Sequence, residues 1–244
     1  PRVRYVDETT EVVSAEEQPF NADETIYYTE NRLAANSNIE VMAVFSKNTD
    51  ATLTVASRSD STWTTDWSTT SFNNTGHLRK AYDLELSAVS DNVMVVWGDN
   101  SNNILYRFKT SGSWTAQDDV LSTALHSGKI DWVELVPKPG TNEFALVYSD
   151  ANSDLFGVIW DGTQWLTATG ITFETGLEIR NEKCFDAAYE TLSGNLLVGW
   201  GKNGNSNHGI HYRILPNGST SWNSKIRHTY SNDNSPRLMK LIPD

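Results

Sequence analysis

Four apolar runs recur along the chain, each ending in an aromatic residue and then breaking into small polar residues. They are Val41-Met42-Ala43-Val44-Phe45-Ser46, Val93-Met94-Val95-Val96-Trp97-Gly98, Phe144-Ala145-Leu146-Val147-Tyr148-Ser149 and Leu196-Leu197-Val198-Gly199-Trp200-Gly201. Their aromatics lie 52, 51 and 52 positions apart. Short continuous apolar runs bounded by turn residues predict strands buried on both faces. A second series runs in phase: Trp63, Trp114, Trp165 and Trp222, separated by 51, 51 and 57 positions. The last interval is longer because residues 202–208 and 216–221 carry extra loop residues, where length variation is tolerated.

Residues 130–170 are the clearest copy of the unit. Residues 130–136 alternate, Pro137-Lys138-Pro139-Gly140 turns, and residues 142–148 form a buried strand. A turn follows, then a third strand over 155–160, a tight turn at Asp161-Gly162-Thr163 and a fourth strand over 164–168. No segment sustains a helical period. A four-stranded antiparallel unit repeated about every 52 residues predicts an all-β fold, a β-propeller whose neighbouring blades bury each other's faces. A pair of β-sandwiches or a solenoid is the alternative. Repeats are expected over 33–79, 80–129, 130–180 and 181–230 of a single domain spanning 1–244, with residues 1–32 and 231–244 forming part of a further blade.

That further blade follows from the phase. Residues 3–13 can be laid on residues 212–222 as a third strand, turn and fourth strand, while residues 236–242 fall where a first strand should begin. The expectation is four whole blades plus a composite fifth from the two chain ends, its missing second strand supplied by residues beyond Asp244 or by another chain.

Composition narrows the function classes. The formal net charge of −12, with no basic stripe, argues against a nucleic-acid partner. Eight acidic residues between Asp7 and Glu30 read as a solvated face. No apolar stretch is long enough to span a bilayer as a helix. Cys184, the single cysteine, excludes an intrachain disulfide and reads as a small buried hydrophobe. The start at Pro1 reads as processed or trimmed, and the expected location is extracellular or at the cell surface.

Leu105-Tyr106-Arg107, Ile159-Trp160-Asp161-Gly162-Thr163-Gln164-Trp165 and Phe185-Asp186-Ala187-Ala188-Tyr189-Glu190 carry a resemblance to propeller-like repeats of large secreted or surface proteins of bacteria and archaea. They are similar also to propeller lectins, a resemblance that implies sugar sites between neighbouring blades. The Asp-box turns of sialidases are matched only in part, since Thr110-Ser111-Gly112-Ser113-Trp114 lacks the aspartate.

Catalysis is not expected. A sialidase-like hydrolase needs converging arginines, an activated tyrosine and a general acid, whereas Arg107 and Arg213 occupy equivalent places in their third strands and so reflect repetition. Of the five histidines only His208 and His211 are close enough in sequence to share a zinc ion, and they read as surface or packing residues. No cofactor is expected; Asp99, Asp150 and Asp154, with Asp50, offer hard oxygen ligands for calcium, but backbone turns explain them better. Trp63, Trp114, Trp165 and Trp222 serve either as inter-blade packing or, with Arg107 and Arg213, as a ligand-binding platform for glycans. The reading is a binding or assembly module for adhesion or surface display, lectin-like, with glycans or other surface subunits as partners. A purely structural subunit of a surface layer or filament is the alternative, and a sialidase-like glycoside hydrolase a more remote one.

Overall fold

Strands fall where the apolar runs predict them, and each pairs antiparallel with its neighbour. The computed structural model describes residues 13, 15–16, 26–33, 41–47, 52–59, 62–72, 79–177, 182–202, 209–229 and 238–243, with no helix among them. The first sheet is β1 (Ile26–Leu33), β2 (Val41–Lys47), β3 (Thr52–Ser59) and β4 (Thr62–Thr69) in that order. The second is β5 (Tyr82–Leu86), β6 (Val93–Gly98), β7 (Ile104–Thr110) and β8 (Ser113–Trp114), with β9 (Asp118–Asp119) also on β7. The third is β10 (Ile130–Pro137), β11 (Phe144–Asp150), β12 (Leu155–Trp160) and β13 (Trp165–Glu174). The fourth is β14 (Phe185–Tyr189), β15 (Leu196–Lys202), β16 (Gly209–Leu215) and β17 (Ile226–Thr229).

The four apolar runs are therefore the second strands β2, β6, β11 and β15. Every residue of β6 and β11 is buried, which is why their sequences do not alternate: both faces look into apolar surroundings. Register repeats as well, with Tyr82 opposite Trp97, Val133 opposite Tyr148 and Phe185 opposite Trp200.

Three cores result, each shared by two consecutive sheets. Leu53, Val55 and Trp67 meet Tyr82, Val95 and Trp97; Met94, Val96 and Phe108 meet Val133, Leu135 and Leu146; Ala145, Val147 and Phe173 meet Phe185, Val198 and Trp200. Cys184 is buried in the third of these cores.

Three expectations need correction. β1 lies at 26–33, ahead of the expected start of the first repeat, so this stretch completes the first sheet and does not belong to the chain-end blade. The fourth strand of the second sheet is broken into two short pieces, β8 and β9, and Trp222 precedes β17 instead of opening it. Of residues 236–242, expected to begin a strand, the described residues 238–242 are not in one. Of the N-terminal half-blade over residues 3–13, all but Val13 lies outside the described residues.

Candidate functional site

The tryptophans close the seams between sheets. Trp114 packs edge-on against Trp67 of the first sheet, with centroids 5.6 Å apart, and its Nε1 donates to Asp66 Oδ2 at 2.8 Å. Trp222 repeats the arrangement two seams further on, against Phe173 at 4.7 Å, with Nε1 donating to the Thr169 carbonyl at 3.0 Å. Trp165 is 8% exposed and lies edge-on to Tyr106 of the second sheet. Trp63 is half-buried at the start of β4. Trp165 thus offers no open ring face, and Trp114 and Trp222 spend their indole N–H groups inside the seam.

Arg107 and Arg213 do stand at equivalent positions, opposite Val95 and Val198. The Arg107 guanidinium lies over the Trp67 ring, 4.9 Å from its centroid, and Arg213 Nη1 donates to the Asn223 carbonyl at 3.3 Å. Each belongs to its own seam, so the two do not converge on one ligand.

Asp99 and Asp150, two of the aspartates considered for calcium, are turn formers. Asp99 Oδ1 accepts from the backbone N–H groups of Ser101 and Asn103 at 2.7 and 2.8 Å. Asp150 accepts from Asn152 and Asp154 through Oδ1 and from Gly128 through Oδ2. Asp154 Oδ1 accepts from the N–H of Gly176 at 3.0 Å. The amide bonds to Asp99 and Asp150 are those of side chains that close backbone turns. Among the described residues no three His, Cys, Asp or Glu side chains gather as a metal site. Asp50 and His208 lie outside the described residues; His211 is buried with Nδ1 3.4 Å from Glu174 Oε2.

Glu174 fastens the third sheet to the fourth. Its Oε2 accepts from Trp200 Nε1 at 3.3 Å and Lys225 Nζ at 3.0 Å, and Lys202 Nζ lies 3.3 Å from Oε1. Burial by itself would raise the carboxyl's pKa, but Lys225, Lys202 and the Trp200 N–H together outweigh it and hold the pKa below its ordinary value.

The opposite rim of the same seam is open. A shallow crevice, open to solvent, runs between the third and fourth sheets. Ile159, Leu166, Leu196 and Leu215 form its apolar floor, and Lys138, Glu143, Tyr189, Asn217, Ser219 and Thr220 its polar rim. Lys138 Nζ bridges Glu143 Oε1 at 3.1 Å and Asn217 Oδ1 at 2.8 Å. The Tyr189 hydroxyl donates to Glu143 Oε1 at 2.9 Å. Burial first, and then the Glu143 charge, push the Tyr189 pKa well above its ordinary value, so the phenol stays a donor. Both bonds fall on Glu143 Oε1, and Oε2 has no hydrogen-bond partner among the described residues. None of these residues was a candidate from the sequence, where Ile159 and Tyr189 entered only as parts of the repeat and the others as turn or strand-end residues.

No protein-family model matches the chain, and no curated protein matches it. Among solved structures, the BP39L lectin of Burkholderia pseudomallei superposes on 90% of this chain with a TM-score of 0.59 at 12% identity. The chain spans 61% of that lectin's length. An alpha-L-arabinofuranosidase of Fusarium graminearum (TM-score 0.49, 13% identity, 80% of this chain and 63% of that one) and an Aleuria aurantia lectin in complex with alpha-methyl-L-fucoside (TM-score 0.48, 14% identity, 83% and 61%) are more distant. The likeness to the first shows the fold alone: the successive antiparallel sheets are blades of a β-propeller.

Proposed function

We propose that this chain is a non-enzymatic, carbohydrate-binding propeller module that acts outside the cell or on its surface. It comprises four whole blades and a fifth to which the chain ends contribute, and it holds a glycan in the crevice between the third and fourth blades. One observation carries the reading: a fixed Lys138–Glu143–Tyr189 cluster with a spare acceptor stands above an apolar floor in a solvent-open groove. A pyranose ring has an apolar face and hydroxyls that both donate and accept, so it matches such a groove. Glu143 is the one carboxylate in the lining. Glycoside hydrolysis draws on a pair of them, which favours binding over turnover and over the sialidase-like alternative.

A glycan array probed with labelled protein tests the proposal, alongside Glu143→Gln and Lys138→Met variants shown to be folded. Saturable binding to at least one glycan, weakened about tenfold or more in each variant, is expected from losing a charged hydrogen bond. Binding that survives both changes, or no glycan bound, overturns it.

A further inference from the structure

Among the described residues, Asn217 is the only asparagine followed by glycine. It stands second in the turn Pro216-Asn217-Gly218-Ser219, closed by a single backbone bond from the Ser219 N–H to the Pro216 carbonyl at 2.9 Å. Gly218 holds φ at +72°, the left-handed value that calls for glycine at the third place of such a turn. Asn217 and Gly218 are both exposed, and a Cβ added to Gly218 would meet nothing within 4 Å. The Gly218 N–H donates to no acceptor among the described residues. Its nitrogen is neither screened by a side chain nor held in a hydrogen bond.

The side chain of Asn217 is oriented by its neighbours. Its Oδ1 accepts from Lys138 Nζ at 2.8 Å; an ammonium only donates, so the carbonyl oxygen and not the amide nitrogen must face it. Lys138 is itself buried and fixed, with Nζ 3.1 Å from Glu143 Oε1. Asn217 Nδ2 makes no hydrogen bond among the described residues and lies over Gly194, 2.9 Å from where a Cβ would stand there. Asn217 Cγ therefore carries a cation on its oxygen, an unbound amide nitrogen, and an unscreened backbone nitrogen on the next residue.

We propose that Asn217-Gly218 is a self-modifying site, at which the Gly218 backbone nitrogen closes on the Asn217 side chain with Lys138 assisting. The Gly218 nitrogen gives its proton to solvent hydroxide and bonds to Asn217 Cγ, and the carbonyl electron pair shifts on to Oδ1. That oxyanion forms against the Lys138 ammonium, a fixed charge placed where charge develops. The intermediate collapses by breaking the Cγ–Nδ2 bond, Nδ2 leaves as ammonia with a proton from water, and a cyclic succinimide remains. Water then opens the ring: attack at Cγ gives aspartate, and attack at the backbone carbonyl gives isoaspartate. In sum, water is consumed and ammonia released. The new carboxylate forms beside Lys138 and competes with Glu143 for it, which changes the charge of the crevice rim. The reaction rests on the turn and on Lys138 and not on a bound glycan, so either reading can fail without the other.

Peptide mass spectrometry of the folded protein, aged in mildly alkaline buffer, tests the proposal, with an isoaspartyl methyltransferase marking isoaspartate. Cleavage after Lys202, Arg213 and Lys225 puts Asn217 on a different peptide from Asn203-Gly204, which lies outside the described residues. Conversion at Asn217 ahead of the other described asparagines is expected, as a mixture of isoaspartate and aspartate. Lys138→Met should slow it about tenfold or more. Lys138→Gln, which removes the charge and keeps a donor, should slow it less and serves if Lys138→Met does not fold. No isoaspartate at position 217, aspartate alone there, or a rate that is unchanged or faster in folded protein without the Lys138 charge overturns the proposal.

Discussion

Asp83 and Leu135 belong to different blades, yet Asp83 Oδ2 accepts a hydrogen bond from the Leu135 backbone N–H at 2.8 Å. The same carboxylate takes the N–H of Leu84 and the ammonium of Lys80 on Oδ1. Asp83 is therefore a buried bracket that ties the first strand of one blade to the first strand of the next.

Removing that bracket should cost stability without altering the fold. Asp83→Ala leaves a buried N–H unpaired, so urea unfolding should show a loss of about 1–3 kcal/mol with an unchanged m-value. Asp83→Asn, which keeps one acceptor oxygen, should lose less. A Leu135 N–H that exchanged with solvent as quickly in the parent as in Asp83→Ala would contradict the assignment.

Trp165 should behave as a packing residue. Its ring fills the core between the second and third blades, so Trp165→Ala should destabilise by about 3–5 kcal/mol. Its Nε1 is buried without a hydrogen-bond partner, so Trp165→Phe should cost clearly less, there being no bond to lose. Thermal melts of both variants check the ordering. Glycan binding by folded Trp165→Phe should equal that of the parent, because the crevice lies at the next seam.

Acid should loosen the seam between the third and fourth blades. The pKa of Glu174 is held below its ordinary 4.5 in the folded chain, so the unfolded chain binds the proton more readily. The stabilisation is complete above that ordinary value and fades as the pH falls through the lower folded one. Glu174→Gln should be less stable than the parent near neutrality and should lose less on acidification. Urea titrations stepped from about pH 7 to about pH 3 measure the difference between the two slopes; parallel slopes would remove Glu174 from the account.

Much of the architecture was legible in the chain itself, because strand burial and turn chemistry are local. A run such as Val93-Met94-Val95-Val96-Trp97 has one stable use, a strand covered on both faces, and its return every 51 or 52 residues fixes the size of the unit. The turns at Asp99 and Asp150 were likewise readable as turns, since the aspartate side chains bond backbone N–H groups two and four residues on. The repeat also carried the tryptophans, which it left open between platform and packing.

Tertiary structure decided the rest, because those features join residues whose separation in sequence encodes nothing. Lys138 meets Asn217 across 79 positions, and Tyr189 meets Glu143 across 46; the crevice exists only where two blades diverge. The role of Gly199 was hidden for the same reason. In sequence it is a gap in an apolar run, and only the docking of Met239 and Leu241 against it explains the missing side chain. Periodicity determines which residues are buried in a strand, but which neighbour buries them is settled by the packing of whole sheets.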